Sequence, residues 1–378
     1  MDEKLPIQPP PADPPKGPAH PASTVRISRR EALVNTASKV TLRSLPRIPD
    51  PVKRFLLARR SITIDGNTLD TTMQLFLAAQ RVAGLDGLVS SPDVAIARNQ
   101  LEITAGGFRQ DILVQSVSNL SIPGPAGPIR VRHYRTAQPH APLLVFFHGG
   151  GFVIGSLDTH DDLCRLICRD GGMHVLSVDY RRAPEHKAPA ACEDAFAAYR
   201  WALEHAVELG ANPDRVAVGG DSAGGNLAAV VSLLARDGGV ASPALQLLIY
   251  PMTNPRGETR SWTLFAEGFF LTKRHDEWFM DHYLNGADVD DTDHRVAPLL
   301  ADDLSGLPPA LVLTGGFDPL RDEGRAYAEA LLEAGVEVDH RHFGSLIHAF
   351  VNFFPLGGDS AIATEEMISA LRGHLARG

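Results

Sequence analysis

Short apolar runs alternate with longer amphipathic stretches along most of this chain, and the two patterns predict different elements. Leu143–Phe147, His174–Val178, Val216–Val218, Leu245–Tyr250 and Ala310–Thr314 are apolar almost throughout, as strands buried on both faces are. A helical stretch around Ala190–His205 separates the second from the third. After the third, Leu227, Val230, Val231 and Leu234 fall at i, i+3, i+4 and i+7, a helix with one buried stripe. Strands separated by helices predict an α/β fold with a mostly parallel sheet covered on both faces. Residues 111–135 read as an antiparallel hairpin with SIPGPAG as its turn, and residues 251–295 interrupt the alternation as an insertion. Ahead of residue 111 the pattern is helical. Ser28-x-x-Glu31 is a capping box before Leu33, Ala37 and Val40, and Pro46, Pro49 and Pro51 then break the chain. A further helix opens near Asp70, with Leu69, Met73, Phe76 and Leu77 on one face and Gly84 as its stop. Between them, PVKRFLLARR is expected to be a helix packed on the protein with its charges solvated.

The pentapeptide GGDSA occurs twice, at Gly219–Ala223 and Gly357–Ala361. In the first copy Gly220-Asp221-Ser222-Ala223-Gly224 matches G-x-S-x-G between a short strand and a helix. A serine at the tip of so tight a turn needs tiny residues two places to either side, because a Cβ there meets the adjoining strand or helix. The following helix N-terminus aims backbone N–H groups at any oxyanion formed beside the hydroxyl. A phosphate loop is excluded because Gly225-Asn226 stands where Lys-Ser/Thr is required, and a dinucleotide fingerprint fails at Asp221. In the second copy Ile362 replaces the required glycine, and the helix that follows carries Met367, Leu371 and Leu375 on one face. Asp359 or Ser360 is expected to be its N-cap.

A nucleophilic serine needs a base, an orienting carboxylate and oxyanion donors. His148-Gly149-Gly150-Gly151-Phe152 directly follows the Leu143–Phe147 strand, and three successive glycines there are conformationally costly. In the α/β-hydrolase plan such a loop supplies N–H donors beside that of the residue after the nucleophile. Fifteen histidines compete for the base. His340 and His342 share a strand face, and His275 and His282 lie in the insertion, whereas His348 follows a strand into a loop. Asp318 also falls past a strand and the loop Gly315-Gly316-Phe317, and strand ends are where sites form in open α/β sheets. Asp302 and Asp303 read as solvated, and Asp221 is expected to point away from the serine.

Composition sharpens the setting. Hydrophobic residues make up 44% of 378 and charged residues 21%, ordinary globular values. A net charge of -9 disfavours nucleic acid and anionic membranes as partners. No apolar run approaches the ~20 residues of a membrane helix. The proline-dense first 23 residues lack the apolar stretch of a secretory signal and read as a disordered tail. Cys164, Cys168 and Cys192 are too few for a disulfide framework and have no second pair at zinc-ligand spacing, so reduced buried thiols and a cytoplasmic setting are expected. Cys164 and Cys168 can share one helix face.

HGGGF, DYRRAPEHKAPAACEDA, GGDSAGGN, GFDPLRDEG and IHAF, in that order, resemble the motifs of bacterial hormone-sensitive-lipase-like carboxylesterases, the family IV lipolytic enzymes. The similarity runs from about residue 110 to the C-terminus, and the helical N-terminal segment looks closest to mycobacterial and related actinobacterial members. The resemblance implies an α/β-hydrolase core of residues 111–250 and 296–378. It implies a cap made from an N-terminal helical segment, 24–110, and the 251–295 insertion. It further implies Ser222 as nucleophile, His348 as base and acid, and Asp318 as orienter. The oxyanion donors are then the N–H groups of Gly150, Gly151 and Ala223. His148 and Gly149 would brace the glycine loop, with Tyr180, Glu185 and Asp221 as support. Arg182 and Lys187 depart from the usual pattern without touching the triad. Phe152, Trp262, Phe269, Phe270 and Phe350 are candidates for an acyl pocket. The activity implied is hydrolysis of short- to medium-chain carboxylic esters with no metal or organic cofactor. An amide deacylase with the same triad stays open at this point, as does homo-oligomerisation, while a non-catalytic receptor is disfavoured by the presence of all three triad residues.

Overall fold

The computed structural model describes residues 45–58, 60–85 and 87–377. The proline-dense tail and the Ser28–Glu31 capping box lie outside these residues. A two-stranded hairpin, β1 (Thr63–Ile64) and β2 (Asn67–Thr68), precedes an eight-stranded sheet. The sheet's strands are β3 (Ser116–Ile122), β4 (Ile129–Arg135), β5 (Ala141–Phe147), β6 (His174–Asp179), β7 (Ala211–Asp221), β8 (Gln246–Ile249), β9 (Ala310–Phe317) and β10 (Val338–Ile347). Their spatial order is β10-β9-β8-β7-β5-β6-β4-β3. β3 pairs antiparallel with β4, and β4 with β6, while all the other pairs are parallel. The hairpin expected over 111–135 is the β3–β4 pair.

The apolar runs are continuous because both faces of the sheet are covered. Along β5, Leu143, Val145 and Phe147 enter one core with the helices Ala190–Leu209 and Ala223–Asp237. Leu144 and Phe146 enter the other, with the helices Asp161–Gly171 and Gly358–Leu375. The period-two alternation of a strand thus feeds two cores. β6 and β7 flank β5 on opposite sides, so the strand order reverses there and the C-terminal ends of β5 and β7 open into a crevice.

Helices ahead of the sheet are Asp50–Leu56, Thr71–Val82 and Val94–Phe108. Asp70 caps the second, accepting a hydrogen bond from Met73 N at 3.0 Å, and Gly84 follows its end with φ +71°. Asp93 caps the third through Ile96 N at 3.0 Å. The pattern had not separated that third helix. The first departs from expectation at Lys53, while Arg54 is solvated as expected. Lys53 is buried and bonds Thr72 Oγ1 at 2.8 Å, whereas Val52, Phe55 and Leu56 are exposed, so here an apolar side rather than the lysine faces solvent.

Two further differences are local. Gly315-Gly316-Phe317 is the last part of β9 rather than a loop, because glycine at 316 lets the Gly344 backbone of β10 press against it. In the second GGDSA the helix begins at Gly358 behind Gly357, and neither Asp359 nor Ser360 caps it. Asp359 instead accepts Ser345 Oγ at 2.5 Å, and Ser360 is buried against Met73 Sδ at 3.8 Å. No helix among the described residues is long and apolar enough to cross a membrane.

Candidate active site

β7 ends at Asp221, the helix Ala223–Asp237 begins one residue later, and Ser222 occupies the turn between them at φ 57°, ψ −117°. That left-handed backbone is rare for a residue with a Cβ and persists where its surroundings hold it. Ser222 N donates to Ile249 O at 2.9 Å and its carbonyl accepts Asn226 N at 3.0 Å. A side chain at either flanking glycine would overlap backbone: Gly220 meets Phe147 O and Gly224, and Gly224 meets Phe147 O.

Ser222 Oγ lies 3.0 Å from His348 Nε2, and His348 Nδ1 lies 2.7 Å from Asp318 Oδ2. The second oxygen of Asp318 accepts Leu320 N at 2.8 Å, and both His348 and Asp318 are buried. β7, β9 and β10 bring together three residues distant in sequence, because their C-terminal ends meet on one edge of the sheet. His340 and His342 stay on the β10 face, both within hydrogen-bonding distance of Thr314 Oγ1.

The glycine loop follows β5. Gly150 and Gly151 have φ of +117° and +58°, and Gly150 O accepts from Val153 N and Ile154 N. Gly149 N donates to Asp221 Oδ1 at 2.8 Å and is therefore already engaged. The N–H groups of Gly150, Gly151 and Ala223 have no acceptor among the described residues, and these residues line the same cavity as Ser222. His148 bonds Gly149 O through Nδ1 at 2.8 Å and stacks on Tyr180 with ring centroids 4.3 Å apart. Burial, reinforced by His160, pushes the His148 imidazole down to about 3, so it is a neutral brace. Tyr180 donates to His148 O at 2.7 Å.

Asp221 points away from the serine, as expected. Besides Gly149, it contacts His160 Nε2 at 3.1 Å and accepts Asn352 Nδ2 at 3.0 Å. Burial opposes its charge, yet these partners outweigh that effect and hold its carboxyl below the usual range. His160 and Asn352 went unread in the sequence, since neither lies in a motif. Glu185 sits outside the cavity, half exposed, and pairs with Arg98 at 2.7 Å. That pairing, ahead of a smaller opposing effect of burial, pulls Glu185 down to about 2.

The cavity over Ser222 holds about 160 Å³. Its walls come from the glycine loop, the helix Val94–Phe108 and a helix of the interrupting segment, Lys273–Leu284. Of the aromatic candidates, Phe152 and Phe270 line it, and Trp262, Phe269 and Phe350 do not. Phe350 is buried between Tyr250 and Phe343, with centroids 5.1 and 5.3 Å away. Phe269 packs on Phe265 and Phe317, both at 5.4 Å, and Trp262 packs against the core that includes β5. Unanticipated lining residues include Leu101, Thr104 and Phe108, at i, i+3 and i+7 on the helix capped by Asp93. Asp276 lines the cavity too, and burial pushes its carboxyl up to about 7 against the pull of nearby His348.

A model of the α/β-hydrolase fold matches residues 144–352. The carboxylic ester hydrolase LipN of Mycobacterium tuberculosis strain H37Rv is 56% identical over 348 residues, 90% of this chain and 93% of that protein. The ethyl acetate hydrolase of Pseudomonas putida is 36% identical over 288 residues, 74% of this chain and 90% of that one. Among solved structures, an ester hydrolase from the Lake Arreo metagenome, complexed with a bipyridine phosphonate derivative, has a TM-score of 0.78 at 42% identity. The match covers 82% of this chain and 99% of that one. An esterase of Pyrobaculum calidifontis has a TM-score of 0.75 at 39% identity, covering 81% and 98%. The chain belongs to the hormone-sensitive-lipase-like family of the α/β-hydrolases and is a carboxylic ester hydrolase.

Proposed function

We propose that Ser222 attacks the ester carbonyl while His348 Nε2 takes its proton, with Asp318 holding the imidazole in the tautomer that can accept it. The tetrahedral oxyanion is stabilised by the N–H groups of Gly150, Gly151 and Ala223, each such donor being worth roughly 10²–10³ in rate. Collapse expels the alcohol, which leaves with the proton from His348. Water then attacks the acyl-enzyme, giving its proton to His348, and the acid departs as Ser222 recovers that proton. The observation that carries this reading is the unbroken hydrogen-bonded line from Ser222 Oγ through His348 to Asp318, at 3.0 and 2.7 Å. Asp221 and His148 position the glycine loop and take no part in proton transfer.

The helices before residue 110 and the 251–295 segment act as the cap, since both contribute walls to the cavity. A cavity of about 160 Å³ suits short- to medium-chain acyl groups. A small uncharged ester also fits the net charge of -9, which favours neither nucleic acid nor anionic membranes. The three buried free cysteines fit work in the reducing cytoplasm.

The test is Ser222→Ala on p-nitrophenyl esters graded by acyl length, with organophosphonate labelling of the unaltered protein. Turnover falls to background in the variant, which keeps its fold, and the label attaches at Ser222. Full turnover by Ser222→Ala, or no labelling at Ser222, would overturn the assignment.

A further inference from the structure

Asp276 is the feature that the proposed reaction leaves unused. It sits in the first turn of the helix Lys273–Leu284 with 7% of its surface exposed, and it lines the same cavity as Ser222 and His348. Its carboxyl makes no hydrogen bond or ion pair among the described residues; its backbone N–H is already engaged with Thr272 O at 3.1 Å. The charged or titratable groups that act on it are His348, Glu277, Asp318 and Glu323, and none bonds it. The cavity residues on the same helix, Phe279 and Met280, stand at i+3 and i+4 and are apolar, as are Phe270 and Leu271 just before it.

A carboxyl buried without a partner is costly, and polar groups in this position are normally satisfied. Asp221 and Asp318, the neighbouring carboxylates of the site, are each bonded through both oxygens, whereas the Asp276 carboxyl meets the cavity without a protein partner among the described residues. A carboxyl without a protein partner, set among the apolar side chains Phe270, Leu271, Phe279 and Met280 on its stretch of the wall, selects among ligands, because a ligand lacking the complementary group leaves it unpaired. The complementary group is narrowed by the setting. An ammonium would lose its hydration among Phe270, Phe279 and Met280, whereas a hydroxyl both donates and accepts and so satisfies the carboxyl in either protonation state.

We infer that Asp276 is a specificity-determining residue and that the preferred substrates are esters carrying a hydroxyl group on the acyl or alcohol portion, bonded by its carboxyl. This rests on the proposed role of Ser222, which places the ester in that cavity.

The experiment compares kcat/KM, followed by acid release, for matched pairs. Methyl butyrate is set against its 2-, 3- and 4-hydroxy derivatives, and ethyl butyrate against 2-hydroxyethyl butyrate. Each pair is measured with the unaltered enzyme, Asp276→Leu and Asp276→Asn. For at least one hydroxylated ester, the ratio of hydroxylated to plain kcat/KM should drop about 10-fold or more in Asp276→Leu. Asp276→Asn, which still offers a hydrogen-bonding group, should keep part of the preference. Ratios equal within about twofold across all pairs would overturn the inference. So would an equal loss on plain and hydroxylated esters, which marks a role through His348 or the fold alone. If Asp276→Leu does not fold, Asp276→Ala gives the same comparison without added bulk. Failure of the Ser222 assignment is seen separately, as full turnover in Ser222→Ala.

Discussion

A methyl group at Gly224 has nowhere to go, because its Cβ would overlap the carbonyl oxygen and carbon of Phe147, and backbone in a buried central strand cannot retreat. At Gly225, one residue along, such a Cβ would meet Pro251 Cβ at 3.1 Å and Gly220 O and Pro251 Cα at 3.2 Å, contacts relieved by shifts of a few tenths of an ångström. Gly224→Ala should therefore destabilise by at least about 3 kcal/mol, while Gly225→Ala, partly compensated by the helix preference of alanine, should stay within about 1 kcal/mol. Urea midpoints of the two variants check this, and equal midpoints would refute the reading of the turn. This steric demand is also why Ser222 was legible from its flanks: the constraint is local, so the motif carries it. Asp318 and His348 were legible for a related reason, since strand ends can be read from apolar runs. The pocket aromatics were not. Whether Phe350 faces a cavity or Tyr250 depends on partners far along the chain, and no local pattern records that. His160 and Asn352 escaped for the same reason, meeting Asp221 across 61 and 131 positions of sequence.

Among the elements, the helix Val94–Phe108 is tied to the backbone beside the glycine loop by Arg98. Arg98 donates to Val153 O and Ala183 O, both at 2.8 Å, and pairs with Glu185 at 2.7 Å. Val153 follows the glycine loop directly, so the same guanidinium fixes the helix and the loop that carries the Gly150 and Gly151 donors. Its two bonds to carbonyl oxygens are charge-assisted and half-buried, whereas the ion pair with Glu185 is exposed and worth little. Arg98→Ala should lower the melting temperature by about 2–5 °C and kcat on p-nitrophenyl esters about 10-fold, with Glu185→Ala well short of both. If the two variants behave alike, the ion pair and not the carbonyl contacts holds the helix. The linking residue could not be picked out from sequence, although the helix itself left signs. Asp93 is a legible cap, but only Ala97, Gly107 and Phe108 of the helix are fully buried, so its apolar stripe is weak where the cavity replaces a packed core. The β5, β6, β8 and β9 runs were plain because each is enclosed on both faces.

For the molecule as a whole, buried titratable groups set how stability varies with pH, and they pull in opposite directions. Burial, together with His174 and Arg135, pushes His133 down from 6.5 to about 4, and burial with His160 and Arg182 pushes His148 to about 3. In the unfolded chain both imidazoles take up protons near pH 6.5, so between there and the folded values the unfolded state binds more protons. Stability therefore rises with pH across that window and is lost on acidification, by about 3 kcal/mol for His133 alone. Asp276 has the reverse sign. Its folded value is raised from 3.8 to about 7, so the folded state holds the extra proton, and the stability this adds below pH 4 is lost as pH climbs through 7. Urea unfolding at steps from pH 7 to pH 4.5 separates the two. Relative to the unaltered protein, His133→Asn should flatten the acid loss, and Asp276→Leu, which removes the opposing group, should steepen it. Parallel curves for all three proteins would mean that these groups keep ordinary protonation in the folded state, and burial would then not be the force that shapes the acid limb.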